Sequence, residues 1–121
     1  MRIPAMILVL AWVAGATGIG LGPAAAEPLR IVATTSDVAA VLQRVGSGRS
    51  GSVTTLAKGF MDPHYLEAKP SYIVSLRSAD LLAYNGLQLE VGWLPLLLEG
   101  ARNRKIVWGG DGNLAMNQGI E

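Results

Sequence analysis

With 121 residues, and 10 Lys and Arg set against 9 Asp and Glu, the chain is close to neutral and can bury one modest core but not two. No basic face argues for nucleic acid or an anionic membrane, and the absence of cysteine excludes a disulfide framework, a thiolate metal site and a cysteine nucleophile. His64 is the only histidine, so for a transition metal the chain has one strong ligand to offer.

Met1 and Arg2 form a short basic start, Ile3 to Trp12 an apolar run, and Pro23-Ala24-Ala25-Ala26 a small-residue end. That order predicts a secretory signal peptide over residues 1–26 and leaves residues 27–121 as a single α/β lobe. The expected address is the periplasm, as a soluble protein with no cysteine to carry a lipid.

Leu29 to Thr34 is apolar at nearly every position, which suits a strand buried on both faces, and Thr35 and Ser36 offer a helix N-cap. Val38, Val41, Leu42 and Val45 recur at helical spacing, predicting one packed face up to Gly46, where Ser47 and Gly48 end the helix. Val53 to Ala57 reads as a second strand. It leads through Lys58 and Gly59 into the stretch MDPHYLEAKPS, Met61 to Ser71, where His64 lies between Pro63 and Pro70.

Pro63 and Pro70 stiffen that loop, and Pro70 opens a helix to about Ser78 that buries Tyr72, Ile73, Leu76 and Ala79. Asp80 to Tyr84 is a third strand. After Asn85-Gly86, Leu89 to Ala101 fits a helix through Trp93, Leu94, Leu97 and Ala101, with Pro95 in its first turn. Lys105 to Trp108 reads as a fourth strand, followed by the loop Gly109 to Asn113. Strands alternating with helices imply an α/β fold: a parallel sheet with helices on both faces, whose ligands bind beyond the carboxyl ends of the strands. His64 lies in a loop of that kind.

A zinc or manganese site needs three or four nitrogen or oxygen ligands, so His64 is one contribution and not a site. Asp62 and Glu67 stand nearby. They do not complete a local site, but either orient the imidazole or are solvated carboxylates. Ser71 or Ser75 with His64 would make a nominal triad, yet no G-x-S-x-G elbow is present and the nine acids show no catalytic pairing, which argues against an enzyme. The glycine stretches Gly46 to Gly51 and Gly109 to Gly112 lack the context of phosphate loops. Thr34, Thr35 and Ser36 either cap a helix or hold an oxyanion. The apolar run of Trp93, Leu94, Leu96, Leu97 and Leu98 is expected to pack on the sheet.

In order, the strand IVATTSDVAAVLQRVG, the D-P-H loop, the P-S helix start and LRSADLLAYNGLQLEVGWLPLLLEGA (Leu76 to Ala101) resemble the N-terminal lobe of the zinc/manganese-type solute-binding proteins of ABC transporters. The likeness runs from about Ile31 to Ile106. It implies a two-lobed protein, joined by a long helix, that holds its metal between the lobes and delivers it to a membrane permease. Of the family's ligands it carries over His64; the other histidines and carboxylates are expected beyond Glu121. Tyr65-Leu66 departs from the pattern, which has a variable residue and then an aromatic. The same family also includes adhesins, so an adhesion or interaction protein is the alternative expectation, beside a periplasmic oxyanion binder using Thr34 to Ser36.

Overall fold

The computed structural model describes residues 26–46 and 50–120. The expected leader lies outside these residues except for Ala26, as do Ser47 and Gly48 of the predicted helix stop. Four strands and three helices follow one another as β1 (Leu29–Thr35), α1 (Ser36–Val45), β2 (Ser50–Ala57), α2 (Pro70–Arg77), β3 (Leu81–Tyr84), α3 (Leu94–Ala101) and β4 (Asn113–Ala115). The strands form one all-parallel sheet in the order β2-β1-β3-β4. β1 is central, pairing Val32 with Thr54 on one side and with Leu82 on the other.

Alternation along β1 and β3 divides the core into two layers. Val32 and Leu82 face a large cluster with Leu56, Leu76, Leu94 and Leu97, supplied largely by α2 and α3. Ala33 and Ala83 face the other way, against Val38 and Ala39 of α1. Helices therefore cover both faces, as predicted. The chain leaves β1 toward β2 on one side, and β3 toward β4 on the other. The carboxyl ends of β1 and β3 therefore flank the switch point at which such sheets bind ligands.

Three sequence expectations need correction. In α1 the buried stripe is Val38 and Ala39 with Leu42 half-buried, whereas Val41 and Val45 are exposed. The stripe is centred between Val38 and Ala39, which turns Val41 off the sheet, and Val45 is the last helical residue. α3 begins at Leu94, not Leu89, because Leu89 to Trp93 are taken up by tight turns, Val91 N–H donating to the Gln88 carbonyl (3.3 Å) and Trp93 backbone N–H to that of Glu90 (3.2 Å), and Trp93, at φ −141°, is the N-cap. Pro95 does sit in its first turn.

The fourth strand is Asn113–Ala115 and not Lys105 to Trp108. In the earlier segment the backbone is spent on turns: Gly110 N–H donates to the Val107 carbonyl (2.8 Å) and Gly112 N–H to that of Lys105 (2.8 Å). Ile106 is fully buried, but as a plug in a loop and not as a strand residue. Gly112 then passes so close to Asp80 that a Cβ would collide with the Asp80 carbonyl.

At the opposite rim Asp80 clasps two segments, those of Arg30 and Lys105. Its carboxylate accepts from Lys105 Nζ (2.7 Å), from the Arg30 backbone amide (3.1 Å) and from Arg30 Nε (3.2 Å). The Lys105 ammonium, then the Arg30 amide and guanidinium, hold its carboxyl far below the ordinary carboxylate range. A depressed carboxyl contributes stability above its unfolded value of about 3.9 and loses it as pH falls through the folded value. Asp80→Asn is accordingly expected to lower the urea midpoint at about pH 6, with the gap to the unsubstituted protein closing below about pH 4. Urea unfolding at a series of pH values checks this.

Candidate metal-binding loop and its support

His64 sits where the sequence reading put it, in the loop between β2 and α2 at the carboxyl rim. Its ring is well exposed, with 60% of the side chain accessible. Asp62 turns back toward it despite the proline between them, and its Oδ1 accepts from the His64 backbone amide (2.9 Å) and lies 3.1 Å from Nδ1. Those bonds, the backbone one first, hold the Asp62 carboxyl below its ordinary value. In the tautomer with its proton on Nδ1, the imidazole donates to Asp62 and leaves the Nε2 lone pair available to a metal. Of the two roles open to Asp62, the structure favours orienting the imidazole. Glu67 is exposed and belongs to the solvated alternative.

The loop is also held from behind. Trp93, 2% exposed and in the main core cluster, donates its indole N–H to the Pro63 carbonyl (2.7 Å), one peptide from His64. Among the described residues no three His, Asp or Glu side chains are grouped so as to hold a metal ion. His64 is thus a single oriented donor.

The residue that sequence reasoning missed is Glu90. It is 3% exposed, and its Oε1 accepts from the Thr34 hydroxyl (2.6 Å), the Asn85 backbone amide (2.8 Å) and Asn85 Nδ2 (3.1 Å); its Oε2 accepts from the Gly86 amide (3.2 Å). The signal was present: one acid inside the apolar run LQLEVGWLPLLL, where burial of a charge demands donors. Burial first and the Glu90 charge second raise the Tyr84 phenol, whose ring meets Trp108 edge-on at 5.5 Å.

These bonds also tell against the oxyanion reading at Thr34 and Thr35. The Thr34 hydroxyl is committed to a carboxylate, and Thr35 Oγ1 accepts from Val38 N–H (3.5 Å) and Asn85 Nδ2 (3.1 Å). Thr35 caps α1, and a negative charge already lies beneath the site. A hollow of about 210 Å³ beside it, lined by Thr35, Lys58, Met61, Pro63 and Asn85 among others, adjoins the His64 loop. The run Trp93, Leu94, Leu97 and Leu98 packs into the core as expected, while Leu96 is exposed.

The family model for the zinc-uptake complex component A periplasmic protein matches residues 31–120. The manganese-binding lipoprotein MntA of Bacillus subtilis is 38% identical over 77 residues, which is 61% of this chain and 25% of that protein. The manganese ABC transporter substrate-binding lipoprotein PsaA of Streptococcus mitis is 32% identical over 82 residues, 65% of this chain and 26% of that protein. The Mn-bound periplasmic metal binding protein from Candidatus Liberibacter asiaticus superposes with a TM-score of 0.57 at 20% identity, covering 75% of this chain and 31% of that one, a likeness of fold. The chain thus spans about a quarter of the length of these curated relatives. Both relatives are named lipoproteins, so the expectation of a chain without lipid finds no support in them.

Removing the Glu90 carboxylate would strand the buried Thr34 hydroxyl and weaken the turn at Asn85 and Gly86. Leaving such donors unsatisfied costs about 1–3 kcal/mol each when they stay buried, so Glu90→Ala is expected to destabilise by about 2–4 kcal/mol. Glu90→Gln, which keeps one acceptor oxygen, should lose less. Urea denaturation of the two variants measures the difference.

Proposed function

Because the chain belongs to the zinc-uptake complex component A periplasmic family, we propose that it captures a divalent transition metal, zinc or manganese, in the periplasm and passes it to the membrane permease of an ABC transporter. The family is one of substrate-binding transport proteins, not enzymes. Residues 1–26 act as the export signal and residues 27–121 form a metal-capturing lobe.

The observation that supports this reading most directly is the His64–Asp62 pair at the carboxyl rim. A carboxylate on Nδ1 fixes the tautomer and makes the opposite nitrogen a better ligand, the arrangement usual at protein metal centres. The choice between zinc and manganese depends on the rest of the ligand set, and one imidazole does not make it. Two or three further nitrogen or oxygen donors complete such a site. We place them on a second lobe of a longer protein, so that the cation is gripped between lobes and released when they part.

His64→Ala is expected to weaken zinc binding by the full-length protein at least about tenfold, on the scale of changes around metal ligands. Affinity should also fall with acid, since the imidazole must be neutral to coordinate. Isothermal titration with zinc and with manganese, in both proteins and at two pH values, tests this; equal affinities would remove His64 from the site.

A further inference from the structure

Trp93 is an unusual core residue, because the polar end of its indole is spent on a loop and not on its own layer. The N–H of this buried ring meets the Pro63 carbonyl at 2.7 Å, and a Cβ at neighbouring Gly92 would stand in ordinary contact, 3.6 Å, with the His64 carbonyl. The segment that carries Trp93 is a series of turns between β3 and α3. It is fixed at its start by Glu90, which is bonded to Thr34 at the end of β1 and to Asn85 and Gly86 just after β3. Trp93 N–H donates to the Glu90 carbonyl (3.2 Å), so the two residues form one folded unit.

We propose that Trp93 is a positioning residue for His64: its indole N–H holds the Pro63 carbonyl, and through it the loop that presents the imidazole, while Glu90 ties the turn bearing Trp93 to the ends of the two central strands. The proposal rests on the reading of His64 as a metal ligand. The loop's other ties are turn bonds of its own and the packing of Leu66, with Met61 and Ala68 beside it, on the core; His64, Tyr65 and Glu67 are exposed, and the indole is the side-chain donor that reaches it from another element. Asp62 orients the ring within the loop; Trp93 orients the loop on the sheet. Mechanical coupling of this kind is reciprocal, so a metal on His64 must also be felt at the indole.

The test is a titration of the full-length protein, both lobes included, with zinc ion alone, followed by the imidazole resonances of His64 and the indole N–H resonance of Trp93. In the unsubstituted protein both are expected to shift with one midpoint. Trp93→Phe keeps the apolar ring but removes the donor, and should raise the zinc dissociation constant about tenfold. In a His64→Ala background the same change should cost no further affinity. An unchanged dissociation constant in Trp93→Phe, while His64→Ala loses binding, overturns the positioning role and leaves His64 as ligand. Equal weakening of both backgrounds overturns it too, because Trp93 would then act through the fold at large. Zinc binding that survives His64→Ala unchanged overturns the ligand reading itself. Should Trp93→Phe fail to fold, an indole signal indifferent to zinc while His64 responds still overturns the proposal.

Discussion

Parallel strands that stop side by side leave backbone amides at their carboxyl rim with no strand to pair them, and in this chain the rim is also where two connections diverge. The Glu90 carboxylate takes up that demand by accepting from β1 through Thr34 and from the segment after β3 through Asn85 and Gly86. A buried carboxylate is costly without donors, and here it has four, which brings its partners into one geometry. Left-handed backbone at Gly86, Leu87 and Gln88 follows, because the chain must double back within five residues for Glu90 to reach Asn85. That detour in turn delays α3 until Leu94 and places Trp93 in the core beneath the His64 loop.

Where residue type alone decides local structure, the sequence was a good guide. Thr35 caps α1, Pro70 and Pro95 stand in first turns, and β1 is apolar because both of its faces are covered. The D-P-H loop could be placed because two prolines restrict its course. Failures came where tertiary bonding competes with apolar patterning. Lys105 to Trp108 has a strand's composition, but its carbonyls serve turns, and the strand falls instead on Asn113–Ala115, a segment with one large apolar residue. Glu90 was only half legible: an acid inside an apolar run demands donors, and Asn85 and Gly86 are close by, but its hydroxyl partner, Thr34, lies 56 residues away and is brought to it by the sheet.

The same competition explains why His64 was legible and its support was not. A lone histidine announces itself by type, and its nearest partner, Asp62, is two residues off. Trp93 announces only bulk; that its nitrogen serves the loop 30 residues earlier depends on where the sheet brings the turn.

An exposed imidazole is a weak metal donor by itself, because water competes for the cation and the ring loses rotational freedom on binding. Three features of the loop reduce that second cost before any metal arrives: Pro63 restricts the backbone, Asp62 fixes the ring, and the Trp93 indole holds the carbonyl between them. Pre-ordering one donor does not make a tight site, but it lowers the cost of assembling the remaining ones around a cation. If His64 is a ligand, as proposed, a lobe that presents one pre-ordered donor at an open rim suits reversible capture, with tightness left to donors that can approach and withdraw.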